Sequence, residues 1–192
     1  MVSEILDKNQ PFIFELEEIL TPEECSEWIK LIKDAGPEPA PINTPKGTKI
    51  AEQIRNNRRA IFDNSEWADD LFQRIKDDVP QEIHGMKLCG ANERLRCYEY
   101  FPGHYFAPHS DGAFFRDENE QSFYTYIVYL NDDFTGGETC FWVEPKITVK
   151  PKTGAGIFFQ HPIIHESVEV KSGAKYVVRT DLMYRKGALK KN

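Results

Sequence analysis

No two of the four cysteines, Cys25, Cys89, Cys97 and Cys140, stand at C-x-x-C spacing. Without an oxidising leader such thiols read as reduced and mostly buried, and no function is assigned to them. Met1 is followed by Val-Ser-Glu-Ile-Leu-Asp, with neither a cationic start nor an apolar run, and no stretch approaches membrane-spanning length. The expectation is a soluble, cytoplasmic chain with no membrane partner. Positive charge is also in deficit: Lys and Arg total 24 against 31 Asp and Glu, giving a net charge of -7 and a pI near 5.3. That balance argues against nucleic acid or an acidic membrane as partner, while leaving room for a local basic groove. Repeats and low-complexity segments are lacking too. With 12% aromatic and 40% hydrophobic residues, the 192 residues read as one folded domain, 1–192.

Within that domain the signal divides in two. Phe12 to Leu16 is a short strand-like run, and Thr21-Pro22-Glu23-Glu24 marks a helix start with a cap, a proline at the first helical position and a capping box. Cys25, Trp28, Ile29 and Ile32 continue at helical spacing until Gly36-Pro37. Pro37 to Lys49 carries prolines at 37, 39, 41 and 45 and reads as a long loop. Arg55, Arg58 and Arg59 then cluster around Asn56-Asn57, either as a solvated basic patch or as a substrate-facing or structural group. Asn64 or Ser65 opens a second helix through Trp67, Leu71 and Ile75, ended by Pro80. Residues 1–94 are thus expected to be a helical layer and loop, with Pro37 to Arg59 as the candidate lid or specificity element.

From Leu95 the pattern is β: Leu95 to Tyr100, Phe123 to Leu130, Thr139 to Val143, Ile147 to Val149, Ile157 to Phe159 and Tyr176 to Tyr184, punctuated by Gly, Pro and Asn. The expected fold is mainly β with N-terminal helices, a double-stranded β-helix of the jelly-roll or cupin-like kind, its core at 95–184 and a solvated tail at 185–192.

Tyr105 to Gly112 contains His109 and Asp111 two positions apart, which in a strand leave from one face roughly 6.6 Å apart along the chain. Such a pair needs a third ligand. His161 and His165 form H-x-x-x-H, but Pro162 and Ile163-Ile164 disfavour a helix there, so only one is needed. His165 is preferred because the Gly173 turn and Lys175 stand eight and ten residues beyond it. Two histidines and a carboxylate on one face of an ion leave the opposite positions free, the arrangement of non-heme Fe(II) oxygenases. His84 and His104 are taken as surface or supporting residues. If 171–174 make a hairpin turn, Lys175 lies at the turn end, where it reaches the far end of a small dianion. Arg179, roughly 13 Å from it on the same face, lies nearer the metal.

Taken together, the Thr21 to Cys25 helix start, Arg55-Asn56-Asn57, Tyr100-Phe101-Pro102-Gly103, Pro108 to Gly112, Tyr129-Leu130-Asn131, Gly136-Gly137-Glu138-Thr139, His165-Glu166-Ser167 and Lys175 resemble the 2-oxoglutarate and Fe(II)-dependent oxygenases, within them the prolyl 4-hydroxylase-like group. The resemblance implies that His109, Asp111 and His165 bind Fe(II), and that Lys175 pairs with the 5-carboxylate of 2-oxoglutarate with help from Tyr129. Tyr100, or Phe101 if the match shifts by one residue, is a further co-substrate candidate. Arg179 is not part of the family pattern and competes with Lys175 for the acid. The implied activity is hydroxylation of a C–H bond in a prolyl or other residue of a peptide or protein. O2 is the oxidant, succinate and CO2 are co-products, and ascorbate is a further candidate cofactor. A small-molecule hydroxylase and a non-catalytic cupin-like sensor that binds metal or 2-oxoglutarate are the alternatives.

Overall fold

The computed structural model describes residues 6–187. In chain order the first half forms β1 (Ile13–Leu16), α1 (Pro22–Asp34), β2 (Glu38–Pro39), β3 (Ile42–Thr44), β4 (Gly47–Lys49), β5 (Arg58–Asp63), α2 (Ser65–Gln73), β6 (Glu82–Ile83) and β7 (Met86–Ala91). Then come β8 (Arg94–Tyr100), β9 (Phe106–His109), β10 (Glu120–Tyr129), β11 (Thr135–Gly136), β12 (Thr139–Phe141) and β13 (Ile147–Val149). The chain closes with β14 (Gly156–Gln160), β15 (His165–Ser167), β16 (Val170–Ser172) and β17 (Lys175–Lys186).

A nine-stranded antiparallel sheet runs β1-β14-β10-β17-β8-β5-β2, and the long β17 continues past β8 to pair with β7, which carries β6. A four-stranded sheet, β13-β12-β15-β9, is the second layer. Tyr98, Tyr129, Ile157, Phe159 and Val177 of the large sheet share one buried cluster with Phe141 and Val149 of the small one. The opposite face of the large sheet carries the helices. Cys25 and Ile32 of α1 and Ala68 and Leu71 of α2 are buried in a cluster with Leu95, Cys97, Tyr126 and Val178. Each large side chain buried there stabilises the fold by about 1.5 to 3 kcal/mol.

Local chemistry sets the helix starts. The Thr21 hydroxyl accepts the Glu24 N–H at 3.2 Å while the Glu24 carboxylate accepts the Thr21 N–H at 2.8 Å, the reciprocal capping box. Asn64 caps α2 by accepting the Trp67 N–H at 3.0 Å. The two helices are tied by Trp28 against Trp67, edge to face at 5.3 Å, and by Arg74, whose guanidinium reaches both Glu24 oxygens at 2.7 and 2.9 Å.

Several expectations need correction. The short strand expected at Phe12 to Leu16 is present as β1, but strands are not otherwise confined to the part beyond 95: β2, β5, β6 and β7 belong to the large sheet as well. Pro37 to Lys49 is not a plain loop, because β2 pairs with β5 at the sheet edge and β3 and β4 form a hairpin. Pro39 is tolerated because an edge strand can leave one side unpaired. The second helix ends at Gln73, so Ile75 is buried from the turn just beyond it. The tail begins later than 185, since Arg185 and Lys186 complete β17 opposite Lys87 and Met86. Residues 188–192 of the expected tail, and most of the N-terminal segment read for a leader, lie outside the described residues. Residues 171–174 do not fold β15 and β17 into a hairpin. β15 pairs with β12 and β9, β16 with β11, and β17 with β10 and β8, so the chain crosses from the small sheet to the large one. Among the described residues no helix is long and apolar enough to cross a membrane.

Candidate metal centre and co-substrate pocket

His109 and His165 are direct cross-strand partners on β9 and β15, and their rings lie 4.3 Å apart, centre to centre. Asp111 stands two residues beyond β9, its N–H held by the His161 carbonyl at 3.0 Å. The three side chains offer ligand atoms that all lie within 4.8 Å of one another. The Asp111 oxygens stand 3.9 Å from His109 Nε2 and 3.6 Å from His165 Nε2.

The surroundings fix the form of each ligand. Nδ1 of His109 is 2.8 Å from the Ala107 carbonyl, and Nδ1 of His165 is 3.0 Å from that of Ile163. A carbonyl only accepts, so Nδ1 carries the proton in both rings and the Nε2 lone pair faces the centre. Burial pushes the His109 pKa down to about 3 and lowers that of His165, which keeps both imidazoles neutral, the state that ligates a metal. Burial also opposes the Asp111 charge, but Arg179 and the neighbouring histidines outweigh it and hold the carboxyl below the usual carboxylate range. Aromatic walls limit ring motion: Phe106 stacks on His109 at 3.5 Å, and Phe159 meets His165 edge-on at 4.5 Å.

Behind the carboxylate runs a polar chain on the large sheet. The Phe114 N–H donates to Ser122 Oγ at 2.9 Å, and Ser122 Oγ lies 2.8 Å from His161 Nε2. His161 Nδ1 is 3.0 Å from Thr125 Oγ1, which donates to Asp111 Oδ2 at 2.6 Å. Because Asp111 is ionised and can only accept, Thr125 donates to it and itself accepts from His161, which carries a proton on Nδ1 and, when neutral, accepts from Ser122 at Nε2. Burial, which pushes the His161 pKa down to about 4, agrees with that state. Arg179 approaches from the other side, Nη2 3.1 Å from Asp111 Oδ1 and 3.1 Å from Asp181 Oδ1, and Asp181 is also paired with Arg96 at 3.2 Å. His161 is therefore outside the three-residue cluster but tied to it through Thr125.

A cavity of about 50 Å³ leads from the triad to Lys175, with Tyr100, Tyr129, Thr139 and Ser167 among its walls. Lys175 is only 2% exposed; its ammonium donates to the Gly137 carbonyl at 2.6 Å and to Ser167 Oγ at 2.9 Å, leaving one donor unspent. It also lies over the Tyr100 and Tyr129 rings, 5.0 and 5.7 Å from their centres. Tyr129 Oη is paired with Thr139 Oγ1 at 2.7 Å. The glycine pair makes this seat: at Gly137, with φ +71°, a Cβ would come within 2.9 Å of the Phe134 ring, 3.1 Å of Val170 and 3.2 Å of the Lys175 stem. Phe101, the shifted match, does not line this cavity; its ring meets His104 instead, 5.7 Å away.

The residues present fit a divalent metal bound by two neutral imidazoles and one carboxylate, with an anion reaching from it to a buried ammonium. On the other side the triad opens into a cleft of about 990 Å³, lined by Pro41 to Asn43, Ile54, Arg55, Arg59 and Phe115 among others. The 37–59 segment thus stands at the mouth. Arg55 is not a solvated residue: it is 5% exposed, stacked 4.0 Å from the Phe106 ring centre and bonded through Nε to Asn57 at 2.9 Å.

Sequence reasoning gave no role to Ser122, Thr125 and Asp181, and none to Thr139 and Ser167 beyond their place in the motifs that contain them. Small hydroxyls inside otherwise apolar, aromatic strands were the available signal for Ser122 and Thr125, since a buried hydroxyl needs a partner.

Residues 94–180 match the family model of the 2OG-Fe(II) oxygenase superfamily. An uncharacterized fowlpox virus protein is 29% identical over 133 residues, covering 69% of this chain and 31% of its own length. A putative prolyl 4-hydroxylase of Acanthamoeba polyphaga mimivirus is 26% identical over 201 residues, with 93% of this chain and 76% of that protein covered. The chain therefore spans about a third of the first relative and three quarters of the second. Among solved structures, the viral collagen prolyl hydroxylase of Paramecium Bursaria Chlorella virus-1, in its 2OG complex, superposes with a TM-score of 0.68 at 24% identity, covering 92% of this chain and 98% of that one, a likeness of fold. The family match falls on the strands that carry the triad and the lysine, so that this part of the chain is similar to the 2OG-Fe(II) oxygenase superfamily, while the relatives it resembles over most of its length include a putative prolyl 4-hydroxylase.

Proposed function

We propose that this protein is a dioxygenase, a single catalytic unit built as a double-stranded β-helix, that hydroxylates a C–H bond of a prolyl or other residue in a peptide or protein. The observation that carries the reading is the pairing of the His109, Asp111 and His165 cluster with a buried lysine at the other end of one cavity. Fe(II) held by these three residues would activate O2, the oxidant, with 2-oxoglutarate as the co-substrate that is converted to succinate and CO2.

The chain's own residues position and exclude. His109, Asp111 and His165 hold the metal, Asp111 through one oxygen while Thr125 and Arg179 restrain the carboxylate. Lys175 takes the 5-carboxylate of 2-oxoglutarate. Tyr129 shares it once its hydroxyl turns from Thr139, since a desolvated carboxylate needs more than one donor. Tyr100 walls the same cavity. Arg179 is left to orient Asp111. Phe106 and Phe159 pack on the two imidazoles and hold their orientation.

The test is incubation with Fe(II), ascorbate, 2-oxoglutarate and a panel of proline-containing peptides, reading succinate and one added oxygen atom per modified peptide. Succinate that appears with wild type and vanishes with His109→Ala supports the reading. Normal Fe(II) and 2-oxoglutarate binding without succinate from any substrate would favour the sensor alternative instead.

A further inference from the structure

The cleft in front of the triad carries a charge opposite to that of the protein. Four guanidiniums line it, from Arg55, Arg59, Arg96 and Arg179, while among the described residues its only carboxylates are Asp111 and Asp181. Both acids are already committed, Asp111 to Arg179 and Asp181 to Arg179 and Arg96. Arg55 and Arg59 are the surplus.

Arg55 is 5% exposed, and its Nη2 is buried without a hydrogen-bond partner although Nε is bonded to Asn57. An orphaned guanidinium nitrogen on a cleft wall is costly unless an acceptor arrives there. Arg59, on the neighbouring strand β5, has burial and the guanidiniums of Arg55 and Arg96 pushing its pKa down, with only the Tyr98 phenol opposing them. Tyr98 itself feels all four arginines, which lower its pKa in spite of its burial. In a chain of net charge -7, a concentration of unneutralised arginine beside the triad is a local feature that calls for a ligand. Beside it, Pro41, Ile42 and Phe115 offer apolar surface, and Phe115 is 54% exposed.

We propose that the substrate is an acidic peptide segment, with a carboxylate beside the oxidised residue that Arg59 and Arg55 bind while the apolar rim takes the flanking chain. Planar guanidiniums suit carboxylates because two parallel N–H donors match two oxygens. The proposal rests on the oxygenase reading for which residue is oxidised, but the anion site is testable without turnover.

The experiment measures equilibrium binding of labelled proline-containing peptides of equal length, flanked by Asp and Glu, by Asn and Gln, or by Lys, to the full chain loaded with Mn(II) and 2-oxoglutarate. The acidic peptide should bind about tenfold or more tightly than the neutral one and weaken steeply with salt. Arg59→Glu should erase or invert that order, and Arg59→Lys should keep it with reduced affinity. Competition by a free acetylated aspartyl-proline dipeptide distinguishes the source of the carboxylate: weak competition supports a peptide, whereas competition equal to that of the full peptide overturns the extended partner. Equal affinity for all three peptides, or no effect of Arg59→Glu in a folded variant, overturns the anion site. Normal acidic-peptide binding to the Mn(II)-loaded chain, with no succinate formed when the same peptide is given to the Fe(II)-loaded chain with O2, would instead count against the oxygenase reading.

Discussion

Arg179 and Asp111 come from different layers of the fold and meet at 3.1 Å, Nη2 to Oδ1, with the guanidinium shared by Asp181. Burial works against the Arg179 charge, but the two carboxylates outweigh it and raise its pKa. Removing one member of a buried charge pair leaves the other uncompensated, at a cost of about 3 to 5 kcal/mol. Arg179→Ala should therefore lower stability in denaturant unfolding by about 3 kcal/mol, the low end, because Asp181 keeps Arg96. Fe(II) affinity should fall with it, while 2-oxoglutarate affinity of the metal-loaded protein changes less. A large 2-oxoglutarate defect with normal metal retention would mean that Arg179, not Lys175, holds the 5-carboxylate.

The hydroxyl relay gives a graded series. His165→Ala should abolish Fe(II) binding. Thr125→Val strips the 2.6 Å hydrogen bond from Asp111 and leaves His161 Nδ1 without its acceptor, so metal affinity should drop about 10- to 100-fold, the usual effect of losing a partner that orients a ligand. His161→Ala acts one bond further away and should cost less than Thr125→Val. Isothermal titration with Fe(II) under anaerobic conditions ranks the three variants. If His161→Ala matches His165→Ala, the third ligand is misassigned.

That ranking shows where the sequence was readable. His109 and Asp111 stand out because their spacing is local, and the capping box of α1 because all its members lie within four residues. The cross-strand pairing of His109 with His165 and the bond from Thr125 to Asp111 join segments far apart in the chain, so no spacing announces them. The ten-residue offset of Lys175 from His165 placed the lysine at the far end of the cavity, yet through the wrong geometry. A hairpin was expected, whereas the chain changes sheets between β16 and β17. Prolines hid β2 and the β3–β4 hairpin, because composition cannot distinguish an edge strand, which tolerates proline, from a loop. Met86 to Ala91 escaped because Lys87, Cys89 and Gly90 leave it without apolar alternation, and its place is dictated by the overhang of β17.

The helical layer should matter for stability alone. Leu71 is 1% exposed in the cluster beneath the large sheet, so Leu71→Ala should cost about 2 to 5 kcal/mol. Trp67, half-buried against Trp28 and Phe62 at 5.3 and 5.5 Å, should cost about 3 kcal/mol as Trp67→Ala. Both variants should retain wild-type Fe(II) affinity at temperatures where they stay folded. A fully stable Trp67→Ala would make α2 peripheral to the core.

Lys175 should make 2-oxoglutarate binding depend on pH. Burial pushes its pKa down from 10.5 to about 7, so without an anion the side chain loses its proton as the pH rises through neutrality. Between those values the unfolded chain holds a proton that the folded chain lacks, which sets the sign: this lysine's penalty on the anion-free fold is greatest below about pH 7 and is relieved as pH rises toward 10.5. Binding runs the other way. The 5-carboxylate needs the ammonium, so above about pH 7 the affinity should fall about tenfold per pH unit, with uptake approaching about one proton per 2-oxoglutarate. His109 and His161, held to about 3 and about 4, are neutral throughout that window and contribute no slope. Calorimetry in buffers of different ionisation heat reads the uptake directly. Lys175→Arg, charged across the whole range, should bind with little pH dependence, and Lys175→Ala should bind weakly at every pH, by orders of magnitude. A wild-type affinity that is flat above pH 7 would place the carboxylate on another partner.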